Sequence, residues 1–282
     1  MVEGARYEGQ SNMSPRGFGF RPPLQAWAVG GSVGGMTTRA DLRKLYEGYY
    51  QESADKPDWV RVNARDKAAN IRHFCAGVAH DTILDIGSGP GEVMRELAEH
   101  KFGRAFTATD ITDSGLSLLR ADPFPGLERA VTFDGDRLPF ADGQFDLAVL
   151  SHVVEHLDNP RITIMEAARV ARHVYMEVPL EYCALNRRMG RRFQLDKTGH
   201  INFYTPNLAR LLVESCGLEV LRHGPRHFRP EVYSFHRPGL NGRARWFVKE
   251  AALRVAPRLA CFVLNYHFGL LFKGRSSSGA TA

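Results

Sequence analysis

The sequence predicts an α/β fold, a mostly parallel sheet of seven strands with helices on both faces. Three observations lead there. The stretch 83–92, ILDIGSGPGE, is an apolar, β-branched run that stops at glycines on alternate positions, as a buried strand does when it turns sharply into a helix. From Thr82 onward, short apolar runs alternate with segments of helical periodicity, the pattern of a parallel sheet with crossover helices. A chain of 282 residues, 44% hydrophobic, suffices for one substantial core with an inserted subdomain.

Residues 1–36 are rich in Gly, Pro, Ser and Arg and lack apolar periodicity, so they are expected to form a disordered leader, with Met36 a possible natural start. Leu42, Leu45, Tyr46, Tyr49 and Tyr50 recur at helical spacing, and a second helical stretch runs over about 59–75. Residues 37–78 are therefore read as an N-terminal helical cover, whose tyrosines either shape a pocket or make ordinary core contacts. Strands are expected over 82–86, 105–109, 130–133, 146–151, 173–178, 218–223 and 266–273. Pro90 and Gly91 are expected to open the helix after the first strand, with Val93, Met94, Leu97 and Ala98 as its apolar stripe. Thr205 and Pro206 cap and open a later helix that carries Leu208, Leu211 and Leu212 and stops at Gly217. Residues 79–275 form one domain with a helical insertion at about 243–264, and 276–282 form a flexible tail.

The net charge is +6 and the pI about 9.2, but Lys supplies only 7 of the 37 basic residues. An arginine skew can reflect a GC-rich genome, so the position of the charge says more than its total. The four cysteines, Cys75, Cys183, Cys216 and Cys261, are far apart and form no C-x-x-C pair, which argues against a zinc site or a disulfide framework and suits a reducing compartment. No apolar run reaches the roughly 18 residues of a membrane span, and no signal peptide is evident. A cytoplasmic location is expected.

Glycines at such a turn let backbone approach a ligand, and the helix that follows presents free N–H groups to an anionic group. A dinucleotide fingerprint would need its third glycine at position 92, where Glu92 stands; the spacing here is G-x-G-x-G. Taken alone, the turn also fits a nicotinamide enzyme or a purely structural connection. Further along, TATD ends the second strand in Asp110, about twenty residues beyond the turn, and FDGDRLPF follows the third strand, with DGQFDL after it. In order and spacing these motifs resemble those of class I S-adenosylmethionine (SAM) dependent methyltransferases over roughly residues 60–225. The resemblance implies a Rossmann-like sheet whose last strand is antiparallel, with SAM as cofactor. It places Asp85, Gly87, Gly89 and Gly91 at the amino-acid end of SAM, Asp110 and Ile111 at the ribose, and Asp134 and Gly135 at the adenine, beside Leu138 to Phe140. The family more often reads Gly-Asp-Ala where Phe-Asp-Gly stands here, which leaves Asp134 and Asp136 both open as the adenine contact. Ser151 falls at the cofactor side of the stretch after strand four, and His152, Glu155 and His156 line the wall between SAM and acceptor.

That stretch, SHVVEHL, also contains H-x-x-E-H, an inverted zinc-protease pattern. Metal would need a further acidic ligand on a following helix, whereas Asp158-Asn159-Pro160 starts a fresh helix at once; no metal is expected. His156 is either catalytic or a satisfied structural histidine. After strand five, Arg187, Arg188, Arg191 and Arg192 flank Gly190 in a strand-to-helix connection, where they either clamp an anionic acceptor or form a solvated surface. His200 lies in GHINFYTP on the acceptor side of the expected cleft, and an imidazole with a pKa near 6.5 suits removal of a hydroxyl proton. Asn202 and Tyr204 of the same phrase are candidate substrate contacts.

The reading that follows is a methyltransferase acting on a hydroxyl of a small molecule or glycan, with an N- or C-methyltransferase of another metabolite, or a SAM-binding regulator without turnover, as alternatives. Nucleic acid is disfavoured: no RNA-binding module is present, and Ser151-His152-Val153-Val154 replaces the Asn-Pro-Pro-Tyr type motif of many amino-group nucleic-acid methylases. The segment 226–275 holds ten basic residues against Glu231 and Glu250, and its amphipathic part, 243–264, either packs on the sheet or touches a membrane surface.

Overall fold

The computed structural model describes Glu47 and residues 57–134, 136–187, 199–236 and 240–275. The expected leader, the helix over 42–50 save Glu47, Gly135, Arg188, Gly190, Arg191, Arg192 and the tail lie outside the described residues. Seven strands form one sheet in the order β3-β2-β1-β4-β5-β7-β6. They are β1 (Thr82–Ile86), β2 (Ala105–Asp110), β3 (Leu127–Thr132), β4 (Phe145–Ser151), β5 (Ala171–Pro179), β6 (Val220–Arg226) and β7 (His267–Lys273). The first five are mutually parallel, and β7 runs antiparallel to both β5 and β6, as the resemblance implies.

Helix α1 (Pro57–Phe74) precedes the sheet; α2 (Glu92–Glu99), α3 (Asp113–Ala121) and α4 (Pro160–Val170) are crossover helices. A short α5 (Ala184–Arg187) follows β5, and α6 (Pro206–Glu214) leads into β6. Between β6 and β7 lie α7 (Pro230–His236), α8 (Leu240–Val255) and α9 (Pro257–Val263), so the helical insertion starts earlier than position 243 and breaks at Ala256-Pro257.

Alternation along the strands divides the core in two. Leu84, Ala148, Leu150, Val174, Met176, Leu270 and Phe272 pack against α4 and α6, while Ile83, Leu147, Val149, Tyr175 and Leu271 pack beneath α1 and α2. The sequence blurs β3 and β6 for one reason: both are edge strands with exposed polar residues, LERAVT and VLRHGPR, and the second tolerates Pro225 because an edge N–H need not pair. Helix α2 begins at Glu92, not at Pro90. Gly91, its N-cap, has φ +78°, a left-handed conformation outside the helix, and Pro90 stays in the preceding turn. Thr205 caps α6 as expected, its hydroxyl accepting the Leu208 N–H at 3.2 Å.

Candidate active site

Strand order reverses at β1, which has β2 on one side and β4 on the other, and a crevice at the C-terminal ends of such strands is where open α/β sheets take ligands. The glycine turn sits there. Gly87, Gly89 and Gly91 all have positive φ. The N–H groups of Gly87 and Ser88 donate to the Thr109 carbonyl at 2.7 and 2.9 Å, and that of Gly89 donates to Asp110 Oδ2 at 2.9 Å. Asp110 Oδ1 accepts from both the N–H and the hydroxyl of Thr112, at 2.9 and 2.8 Å. The carboxylate at the end of β2 thus fixes the loop at the end of β1. A Cβ on Gly87 would stand 2.6 Å from Val153 Cγ2, so the absence of a side chain there admits the wall after β4.

Asp85 is enclosed at the end of β1, and burial pushes its carboxyl up to about 7; Lys67 opposes this and Asp110 adds to it. Ser151 Oγ, at the end of β4, is buried with no hydrogen-bond partner. Asp134 lies exposed after β3, accepting the Asp136 N–H at 3.0 Å, and Ile111 is half-buried beside Asp110. Leu138 and Phe140 are buried in the core. The loop that carries them is held by Arg169, which donates to Leu138 O, Phe140 O, Asp142 Oδ1 and both oxygens of Glu166 over 2.7–3.0 Å.

After β4 the backbone departs from a helix. His152 has φ +59°, and only Val154–His156 form a single 3₁₀ turn. The two histidines of H-x-x-E-H therefore point to different neighbourhoods. His152 Nε2 lies 3.2 Å from Glu177 Oε1 and 2.9 Å from His267 Nδ1, and its Nδ1 lies 3.2 Å from Glu155 Oε1. His156 Nδ1 donates to Gly199 O at 3.2 Å, and its ring meets that of His200 edge-on at 4.6 Å. His200 Nδ1 is 2.6 Å from Glu181 Oε2.

Burial alone would lower the pKa of His152, and Lys67 acts the same way, but Glu155 and Glu177 outweigh both and hold it above the ordinary value. Burial brings His156 down to about 4 despite Glu155, so it is neutral at pH 7 and suited to hydrogen bonding rather than to carrying charge.

Three substrate candidates are hydrogen-bonded within the wall itself. Glu155 has no exposed surface, and its carbonyl accepts the N–H groups of Ile201 and Asn202. Asn202 Nδ2 donates to Val154 O and Leu157 O at 3.1 and 2.7 Å, and the Tyr204 hydroxyl donates to Val154 O at 3.3 Å. The side-chain N–H and O–H donors of Asn202 and Tyr204 are committed to the 3₁₀ turn, so these residues shape the wall. Arg187 ends α5, and its side chain lies outside the described residues. Sequence reasoning passed over Glu181, Glu177, His267 and Arg169. For Glu177 and His267 a signal existed, an ionisable side chain inside an apolar strand.

Residues 60–223 match the methyltransferase domain family. This chain belongs to that family. The matched region is a methyltransferase domain on a Rossmann-like seven-stranded sheet. It is 33% identical over 157 residues to an uncharacterised methyltransferase of Mycolicibacterium gilvum, covering 50% of this chain and 56% of that one. It is 29% identical over 133 residues to malonyl-[acyl-carrier protein] O-methyltransferase of Geobacter sulfurreducens, covering 46% and 49%. The methyltransferase thus spans about half the length of the curated relatives it matches. Among solved structures, a chain of the complex between the Haloferax volcanii Trm112 methyltransferase activator and its methyltransferase is similar in fold, with a TM-score of 0.57 at 17% identity over 81% of this chain and 97% of that one. Phosphoethanolamine N-methyltransferase 2 of Haemonchus contortus, in complex with SAM, gives a TM-score of 0.53 at 11% identity, over 74% and 52%.

The crevice of the methyltransferase suits SAM. Three positive-φ glycines, an α2 N-terminus with no side-chain cap, a buried acid at the end of β2 and an orphan hydroxyl at Ser151 offer complementary groups to a zwitterion carrying a ribose. No described helix is long and apolar enough to cross a membrane.

Proposed function

We propose that the protein transfers the methyl of SAM to a hydroxyl of a small molecule or glycan. The observation that carries this is the His200–Glu181 pair. A buried imidazole held through Nδ1 by a carboxylate at 2.6 Å is the arrangement that fixes a histidine tautomer and steadies the positive charge the ring takes up on accepting a proton. The wall links the two halves of the site: Val153 packs on Gly87, and the Glu155 carbonyl holds the segment that begins at His200.

In this reading Asp85, Gly87, Gly89 and Gly91 hold the amino-acid end of SAM, Asp110 and Ile111 the ribose, Asp134 the adenine, and Ser151 closes the cofactor side. SAM supplies a methyl carbon already made electrophilic by its sulfonium. His200 removes the acceptor proton, Glu181 orients His200, and the buried wall from His152 to His156 excludes water and fixes the line of approach. The name of the Geobacter relative, an O-methyltransferase, is consistent with an oxygen acceptor. The test is product formation: extracts of cells with and without the gene are compared for metabolites or glycans differing by one methylene, and purified protein is then assayed for S-adenosylhomocysteine with the acceptor found. SAM binding without turnover would identify a regulator, and methylation at nitrogen or carbon would overturn the hydroxyl assignment.

A separate observation bears on where the protein works. Phe247, Val248, Ala251 and Val255 recur at three- and four-residue spacing on α8 and are exposed, as are Leu259 and Phe262 of α9, with exposed Arg243, Arg254 and Arg258 among them. The opposite side packs inward, Trp246 Nε1 donating to Phe228 O at 3.0 Å and Lys249 Nζ to Asn265 O at 2.5 Å. An apolar stripe fringed by arginine fits the surface of an anionic bilayer. Flotation with phosphatidylglycerol vesicles at low salt, lost in Phe247→Glu, supports this; no flotation overturns it.

A further inference from the structure

We propose that His152, Glu177 and His267 bind a divalent transition-metal ion, with zinc as the expected occupant. The three residues come from the end of β4, from β5 and from the start of β7, brought together by sheet register: Ser151 lies opposite Glu177, and Pro179 opposite His267. Glu177 and His267 have the same strand parity as Tyr175 and Leu271, so they emerge on the α1 face at the edge of the crevice.

Three ligating atoms converge. His152 Nε2, Glu177 Oε1 and His267 Nδ1 form a triangle with edges of 3.2, 2.7 and 2.9 Å. Hydrogen bonding alone does not satisfy this triangle. With Glu177 ionised, each imidazole nitrogen can bring at most one proton to the centre, and however the protons are placed, one edge sets two donors or two acceptors against each other. A cation at the centre is attracted by all three atoms. Ligand distances of about 2.0–2.1 Å put neighbouring donor atoms about 2.9 Å apart on an octahedral face and about 3.3–3.4 Å apart in a tetrahedron. The observed edges lie nearest the octahedral value, and a tetrahedral zinc would open them by a few tenths of an ångström. Two imidazoles and a carboxylate match the His₂Glu set of catalytic zinc sites.

A second, independent feature is the support around the ligands. Metal-binding histidines are held through their other nitrogen, and ligating carboxylates are themselves hydrogen-bonded. Two of the three ligands have such support: His152 Nδ1 faces the buried Glu155 carboxylate at 3.2 Å, and the Tyr175 hydroxyl donates to Glu177 Oε2, leaving Oε1 for the centre, while His267 Nε2 is buried without a hydrogen-bond partner. The left-handed backbone at His152, uncommon for a residue with a side chain, is what turns this ring toward Glu177 rather than along the wall.

Access is one-sided. The Glu177 side chain is wholly buried and that of His267 is 4% exposed, whereas that of His152 is 16% exposed. An open coordination position would therefore face the cleft beside His152. There the ion would anchor an acceptor oxygen, a role that rests on the methyl-transfer reading above; binding of the ion does not. In sequence, H-x-x-E-H lacks a further acidic ligand on the following helix. The structure takes one histidine of that motif and supplies the other two ligands from β5 and β7.

The test is metal content and affinity of the full chain. After equilibration with micromolar zinc and gel filtration, elemental analysis should find one equivalent per chain, and cobalt titration should give visible d–d absorption bands. His267→Gln and Glu177→Gln should each reduce zinc affinity at least 100-fold while circular dichroism and SAM affinity stay near the parent values; if Glu177→Gln misfolds, His267→Gln and His152→Gln decide. His200→Gln should keep the full equivalent. Absence of bound zinc in folded protein, or loss of the ion in His200→Gln with retention in His267→Gln, overturns the proposal. Bound zinc in a protein that methylates nothing would leave the site standing and refute only the transfer reading.

Discussion

Replacing Asp85 with asparagine should make the ligand-free protein more stable above pH 7 while weakening its hold on SAM. Asp85 is enclosed at the end of β1, and burial raises its carboxyl from the ordinary 3.8 to about 7, against the pull of Lys67 and with the push of Asp110. Because the folded-state value lies above the unfolded one, the folded protein keeps a proton there that the unfolded chain has released. The stability this confers is present in full below about pH 4 and is lost as pH rises through about 7. At 1.36 kcal/mol per decade of pH, the span corresponds to about 4 kcal/mol, and relaxation around Lys67 should bring the measured figure to about 2–4 kcal/mol. Asn keeps the shape and carries no charge, so the variant avoids this cost. Urea unfolding of both proteins at pH 5 and pH 8 isolates the effect as the difference between them, which removes the parallel slope from Asp66, itself raised to about 6 by burial. Calorimetry at pH 8 should show SAM affinity at least tenfold weaker in the variant, because the group proposed to meet the SAM ammonium is then neutral. Equal stability at pH 8 with an unchanged pH slope would refute the reasoning.

Three further perturbations separate the parts of the site. His200→Gln should lower kcat by about 10²–10⁴-fold with SAM affinity within twofold of the parent, and Glu181→Gln should lower kcat less because it acts through His200; both are read by steady-state assay and calorimetry. Arg169→Ala leaves Leu138 O and Phe140 O without their donor and should cost about 2 kcal/mol in urea unfolding while raising the KM for SAM, since the freed loop carries Asp134. Gly87→Ala places a Cβ 2.6 Å from Val153 Cγ2 at a backbone with φ +78°, and should weaken SAM binding more than tenfold; adding Val153→Ala should restore part of the loss, as the left-handed conformation still costs about 1–2 kcal/mol.

What the sequence made legible was local. The glycine turn, Asp110 at the end of β2 and the Thr205-Pro206 helix start are each encoded within a few residues, and the structure places each at the end of its strand or helix. Strand limits were legible where both faces are buried, as in β1 and β4, and blurred at β3 and β6, where one side meets solvent and the apolar signal thins. Roles that depend on distant pairing were not legible. Asn202 and Tyr204 share a phrase with His200, but nothing in that phrase shows that their donors go to carbonyls nearly fifty residues earlier. Nothing in a local pattern reports such a partner.

The motif H-x-x-E-H shows why residue spacing carries chemistry only through backbone conformation. On a regular helix its histidines, four apart, would share a face and could close on one ion. Here the chain leaves β4 with His152 in the left-handed region and makes one tight 3₁₀ turn, so the motif divides. His152 swings toward Glu177 and His267, while His156 turns to Gly199 and the ring of His200. Glu155, enclosed between them, lies 3.2 Å from His152 and helps set the charge of both histidines, raising the pKa of each against burial. One short segment thus lies against two clusters, the His200–Glu181 pair on one side and His152, Glu177 and His267 on the other. The test of that division is selective: His267→Gln should abolish metal binding and leave the His200–Glu181 geometry intact, and His200→Gln should do the reverse. A single variant that removed both functions in folded protein would show that the turn works as one site after all.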